Sequence, residues 1–146
     1  MLTELVAKKG GQEYKFYYQF TEGGFGEYPE YRIHVWDTPE PSLQERDRYF
    51  ELKAVGCDYG VRIDFFSNFD HAQFKGKDLP DVVIQLVPDL VNDRVRSSMK
   101  FNPLDSRERR NDCSEVVWKR MERKGLVRHV PGEAGRDYYE FIEKNR

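Results

Sequence analysis

Residues 74–90 read Phe-Lys-Gly-Lys-Asp-Leu-Pro-Asp-Val-Val-Ile-Gln-Leu-Val-Pro-Asp-Leu. Within this stretch Leu79, Val82, Val83, Leu86, Val87 and Leu90 recur at three- and four-residue spacing, the period of a helix with one apolar face. Asp78 stands where an N-cap belongs, and Asp81, three residues on, completes a capping-box-like start. Pro80 falls in the first turn, where a missing N–H costs nothing, whereas Pro88 predicts a kink or an early end. A helix with one apolar face needs a sheet to cover, and the flanking sequence supplies strands.

On the N-terminal side, Gln12 to Phe20 alternates, with Tyr14, Phe16, Tyr18 and Phe20 on one face and Lys15 and Gln19 on the other. Thr21 to Glu30 carries three glycines and a proline and reads as loop. Tyr31 to Asp37 alternates again, Tyr31, Ile33 and Val35 against Arg32, His34 and Trp36, before a loop through Pro39 and Pro41. Tyr49 to Val55 and Val61 to Ser67 make two more strands, and glycines at 56 and 60 predict a hairpin longer than the two-residue type. The first 67 residues thus read as a four-stranded antiparallel meander. On the C-terminal side come a short strand within Arg94 to Met99, a polar loop from Asn102 to Asn111 and a helix from about Cys113 to Lys124. That helix has Val116, Val117, Arg120 and Met121 on one face, and Gly125 closes it. Leu126 to Val130 and Asp137 to Ile142 form a hairpin across 131–135, and the last few residues read as frayed. The fold class is α+β, one domain over 1–146: a mainly antiparallel central sheet with two main helices, in the order β-β-β-β-α-β-α-β-β.

Composition agrees. The 146 residues are 38 % apolar and 14 % aromatic, enough to bury a core. Net charge is −2, which argues against a polyanion binder over the whole surface. No apolar run approaches the roughly 20 residues of a membrane helix, Met1 to Gly10 lacks a secretory signal pattern, and two cysteines make no disulfide scaffold. The expectation is a cytoplasmic protein with no membrane partner.

From about Tyr49 to Ile142 this order is similar to the core of the GNAT family of N-acetyltransferases. The residues that carry the resemblance are Phe74-Lys75-Gly76-Lys77-Asp78-Leu79-Pro80 with the apolar helix, Val95 to Ser98, Val117 to Met121 with Lys124-Gly125-Leu126, and Arg136 to Tyr139. In that family the loop before the long helix reads Arg/Gln-x-x-Gly-x-Gly/Ala, and its N–H groups hold the diphosphate of acetyl-CoA. The resemblance therefore implies acetyl-CoA as cofactor, with Lys75, Gly76, Lys77, Asp78 and Leu79 at its diphosphate end and an amine or protein as acceptor. Lys75 stands in the Arg/Gln position, Asp78 in that of the first glycine and Pro80 in that of Gly or Ala, so the motif is degenerate. Pro80 removes an N–H, and the Asp78 carboxylate repels phosphate. The resemblance also implies a base on or after the strand before the loop, for which Asp64, Asp70 and His71 are the local candidates. The family's tyrosine acid has no counterpart in the second helix, where Trp118 reads as a packing residue.

Other readings are weaker. Gly10-Gly11-Gln12 repeats the tripeptide of peptide-chain release factors but reads as a turn opening a strand. His34, His71 and His129 lack metal-ligand spacing, and neither Ser97, Ser98 nor a cysteine is paired with a histidine by any pattern. The helix and hairpin of the C-terminal third resemble the end of a winged helix, and residues 93–130 hold eleven Lys or Arg against six acids. The extended stretch 94–111 argues against that nucleic-acid reading, and a solvated basic face explains the charge better. Phe25, Tyr28 and Tyr31, on a glycine-rich stretch, are the anchors of an alternative reading, a non-catalytic interaction module on the same fold. The acceptor and the oligomeric state are left open.

Overall fold

Alternation of apolar and polar residues carries the front of the chain into five strands rather than four. In the computed structural model, which describes residues 2–24, 27–105 and 107–142, these are β1 (Thr3–Lys9), β2 (Gln12–Gly23), β3 (Glu30–Trp36), β4 (Phe50–Cys57) and β5 (Gly60–Ser67). Each runs antiparallel to the next. The strand absent from the sequence-based expectation is β1. Only Leu5 and Ala7 of it are fully buried, so its amphipathic signature is short. Gly10 and Gly11, both at positive φ, close a two-residue hairpin that pairs Lys9 with Gln12. The β4–β5 turn is also tighter than expected: Cys57 pairs with Gly60, leaving only Asp58 and Tyr59 between them. Gly60, at φ +144°, lets the backbones meet here, since a Cβ would stand 2.6 Å from the Arg94 carbonyl oxygen.

A 3-10 turn (Ala72–Phe74) leads into α1 (Leu79–Val91), β6 (Val95–Ser97), α2 (Asp112–Arg123), β7 (Val127–Val130), a second 3-10 turn (Glu133–Gly135) and β8 (Tyr138–Phe141). All eight strands form one sheet in the order β1-β2-β3-β4-β5-β6-β8-β7. Because a helix returns the chain across the sheet, β5 and β6 pair in parallel, and every other pair is antiparallel. The α+β class with a mainly antiparallel sheet and two main helices stands, with one strand more than expected.

Both helices bury their apolar sides in a single cluster with Phe16, Ile33, Val35, Phe50, Leu52 and Ile63. From α1 come Leu79, Val83, Ile84 and Val87; from α2, Val117, Trp118 and Met121. Pro88 does not end α1, which runs on to Val91 and closes on Asn92, whose N–H donates to the Pro88 carbonyl. Burial of Ile84 and Val87 holds the helix across the donor that proline lacks. Val116, expected on the buried side of α2, is 58 % exposed, and Trp118 takes its place, stacked on Tyr139 with ring centroids 6.0 Å apart. The other face of the sheet is polar. Register aligns Gln19, His34, Glu51 and Ser67 across β2–β5. It likewise aligns Arg62, Arg96, Glu140 and Arg128 across β5, β6, β8 and β7. Trp36, expected on this solvent-side face, is buried, and its Nε1 donates to the Arg46 carbonyl at 3.2 Å. Among the described residues no helix is long and apolar enough to cross a membrane. The expected frayed end, 143–146, lies outside the described residues.

Candidate functional site

The parallel β5–β6 junction is short. Its ladder holds three pairs, Val61–Val95, Arg62–Arg96 and Ile63–Ser97. Beyond them β5 runs on to Ser67 while β6 stops. At this point β5 is bulged: Ile63 pairs with Ala54 and Phe65 with Lys53, leaving Asp64 with no opposite residue. The β5–β6 ladder ends here, at the Ile63–Ser97 pair. The opening is filled from within the chain. The Arg110 N–H donates to the Met99 carbonyl at 2.9 Å, and Ser98 Oγ donates to the Ile63 carbonyl at 2.8 Å. Arg110 is buried; its guanidinium donates to the carbonyls of Ser98 (2.8 Å) and Asp137 (3.0 Å), to the Asp137 carboxylate (2.6 Å) and to Glu115. What remains is a cavity of about 40 Å³, lined by Ile63, Phe66, Ser98, Arg110 and Trp118 among others. That is room for one or two waters.

The three candidate bases do not form one group. Asp64, on the bulge, faces Lys53 Nζ at 3.7 Å and Arg62 Nε at 3.8 Å, and its Oδ1 is buried with no hydrogen-bond partner among the described residues. Asp70 lies beyond β5 at φ +65°, exposed and paired with Lys75. Its hydrogen bond from Lys75, together with that charge, holds its carboxyl below the usual range, a poor setting for a proton acceptor. His71 follows it with its ring against Phe69 and Phe74, at 6.5 and 6.3 Å between centroids.

At the start of α1, each of the five candidate cofactor residues has a place. Lys75 is held by Asp70, and Gly76 takes φ +69°. Lys77 Nζ donates to the Gln73 carbonyl at 2.8 Å and lies 5.1 Å from the Tyr14 ring centroid. Leu79 is wholly buried. Asp78 holds the N-cap position in the left-handed conformation, φ +52°, but its side chain makes no cap hydrogen bond. Instead its carboxylate stands 3.5 Å from Lys9 Nζ and 3.8 Å from Arg120 Nη2. The capping-box reading of Asp81 also gives way. Its carboxylate is buried and accepts from Arg120 Nε (2.8 Å) and Nη2 (2.5 Å) and from Lys124 Nζ (3.2 Å). Burial would raise this carboxyl, but the bonds from Arg120 and Lys124 outweigh it and hold it low. Two carboxylates, their cations already engaged, and a proline without an N–H make the first turn of α1 ill suited to a diphosphate.

The densest cluster of charge lies in the stretch that the sequence presents only as polar loop. Glu108 is 1 % exposed and accepts from Arg96 Nη1 (2.6 Å), Asn102 Nδ2 (2.6 Å), the Met99 N–H (2.9 Å) and Arg62 Nη1 (3.3 Å). Burial pushes its carboxyl up; these donors pull it further down, and the net position is below the ordinary range. Beside it Tyr59 donates to Glu140 at 2.7 Å, and burial with that bond pushes the phenol up. Nothing local in Arg107-Glu108-Arg109-Arg110 singles out Glu108, since its arginine partners are 46 and 12 residues away. The same pairing bears on the basic segment 93–130. Arg96, Arg110 and Arg120 are buried or half-buried against carboxylates and so are not free to track phosphates. Of the three loop aromatics, Phe25 lies outside the described residues, Tyr28 is exposed and donates to Asp58, and Tyr31 is half-buried, stacked 5.9 Å from Phe20. Compared with known protein families, with curated proteins and with solved structures, the chain matches none.

Proposed function

We propose that this chain is a non-catalytic protein-binding domain on a topology that resembles the acetyltransferase core. The observation that carries the reading is the filled opening between β5 and β6, where about 40 Å³ remains; the larger hollow of about 120 Å³ beside Asp64 and Arg62 also falls short of the roughly 300 Å³ or more of a small-molecule site. The carboxylates of Asp78 and Asp81 at the start of α1 work in the same direction. A binding role draws support from apolar side chains held outward on tied backbone. Leu104 is 94 % exposed. Its N–H donates to Asn102 Oδ1 at 2.9 Å, and Asn102 is in turn bonded to buried Glu108. Phe101 and Phe69 are also exposed. An apolar group already held in place loses little entropy when a partner covers it.

Acetyl-CoA at about 1 mM is expected to leave the melting temperature unmoved, and a rise of about 2 °C or more overturns the reading, because any ligand of the folded state stabilises it. Leu104→Asp is expected to keep the wild-type melting temperature and to lose the protein recovered with the tagged chain.

A GNAT-related acyltransferase is the second reading, favoured by one observation: a single parallel junction after the first helix, with the last strand inserted beside it. On that reading Lys75 to Leu79 hold the diphosphate end of acetyl-CoA, and Asp64, Asp70 or His71 takes a proton from an amine acceptor. The same titration, followed by an assay for free thiol in the presence of amines, separates the two.

A further inference from the structure

Among the described residues, strand β1 ends the sheet and no strand pairs with its outer edge. In a two-residue hairpin the residues flanking the turn, here Lys9 and Gln12, exchange backbone hydrogen bonds. Alternation then turns the N–H and C=O groups of Thr3, Leu5, Ala7 and Lys9 toward β2 and those of Glu4, Val6 and Lys8 outward. Among the described residues, no backbone hydrogen bond from outside the β1–β2 ladder reaches β1. Edge strands are ordinarily blunted by prolines, bulges, shortness or charged side chains, lysine above all. This one runs seven residues in unbroken register with β2 and contains no proline. Its guards are charges, Glu4 on one side of Val6 and Lys8 on the other, with Lys9 at the hairpin, all exposed.

Those charges are self-complementary. We propose that β1 pairs with β1 of a second copy of this chain, antiparallel, about a twofold axis through Val6. Glu4 of each copy then faces Lys8 of the other, Val6 faces Val6, and Leu5 faces Ala7. The three outward residues exchange both of their backbone hydrogen bonds. Registers that keep the hydrogen-bond phase but move the axis to Leu5 or Ala7 set a charge opposite Val6. Axes through Glu4 or Lys8 set like charges against each other. Only the Val6 register pairs opposite charges, which are favourable directly across an antiparallel ladder. Closure by a twofold axis leaves no free β1 edge and limits the assembly to two copies. A single strand pair lies below the standard interface size of about 1,200–2,000 Å², so the dimer is concentration-dependent rather than permanent.

Sedimentation velocity between about 1 and 300 µM tests this, a range that spans dissociation constants typical of small interfaces. The expected result is a mass rising from one chain toward two. Val6→Pro removes an outward N–H without touching the β1–β2 ladder and is expected to stay monomeric at the wild-type melting temperature. Glu4→Lys alone, or Lys8→Glu alone, is expected to weaken dimerisation about tenfold, and the double exchange to restore it. The exposed pairs Glu4–Lys15 and Lys8–Glu13 within one copy contribute little to stability, so the cycle reads the interface. A wild-type chain that stays monomeric throughout, a dimer that survives Val6→Pro, or a double exchange that fails to restore association each overturns the proposal. Should Val6→Pro fail to fold, the charge cycle alone decides.

Discussion

The two faces of the sheet are made by the same strands, alternate residue by alternate residue, and they hold together by opposite means. On the helix side Ile33, Leu52, Ile63 and Trp118 exclude water without directional bonds. On the other side Glu108, Arg96 and Arg62 give up water and recover the cost through aimed hydrogen bonds. Truncating an apolar side chain leaves a void, whereas deleting one charge leaves its partners buried and unpaired. The apolar face therefore fails in proportion to the volume removed, and the charged face according to which group remains.

The largest expected effect is on the apolar side. Trp118→Ala should lower unfolding free energy by about 3–5 kcal/mol, the range for large aromatic truncations. Urea denaturation measures it, and a loss below about 1.5 kcal/mol would mean that α2 is not part of the core. Next, Glu108→Ala should cost about 3 kcal/mol, because Arg96 keeps its charge in a buried site. The double change Glu108→Met with Arg96→Leu should recover at least half of that, and a double variant worse than the single would place the stability in the ion pair itself. Third is pH. The Glu108, Asp81 and Asp137 carboxyls all sit below their ordinary values through bonds from Arg96, Arg120 and His129 that outweigh burial. A depressed native value stabilises the fold above the unfolded carboxyl range, about 4, and this stabilisation is lost as pH falls through the depressed values. The urea midpoint should thus drop from pH 6 toward about pH 3, with a shallower drop in Glu108→Gln and an unchanged slope in Trp118→Ala. Smallest of all, Arg128→Gln at the exposed rim should cost less than about 1 kcal/mol, since Arg128 is open to solvent and its pair with Glu140 is screened. A cost equal to that of Glu108→Ala would erase the distinction between rim and centre.

The strands β2 to β5 and both helices were legible because period and burial coincide in them. Tyr14 to Phe20 alternates with the sheet, and Leu79 to Val87 repeats with the helix. Strand β1 escaped because only two of its residues turn fully inward, and no alternation stands out in seven residues with charges at Glu4, Lys8 and Lys9. The start of α1 misled in a specific way. Asp78 and Asp81 have the spacing of caps, yet the approach of Lys9, Arg120 and Lys124 from other elements turns both carboxylates into ion-pair partners. As for the candidate site, the sequence placed Asp64 on the strand before the loop, where it stands. That a bulge would set it beside Arg62 and Lys53, away from Asp70 and Lys75, was beyond its reach.

The sequence by itself determined the α+β class, the order of elements from β2 onward and the apolar stripes that join them, because periodicity is local and survives in any window of a dozen residues. The tertiary structure alone decided which carboxylates are free, which cations they take, and that the gap beside β6 is filled by Ser98 and Arg110. Those outcomes depend on partners as distant in the chain as Arg62 and Glu108 or Lys9 and Asp78, and an ion pair has no period to read.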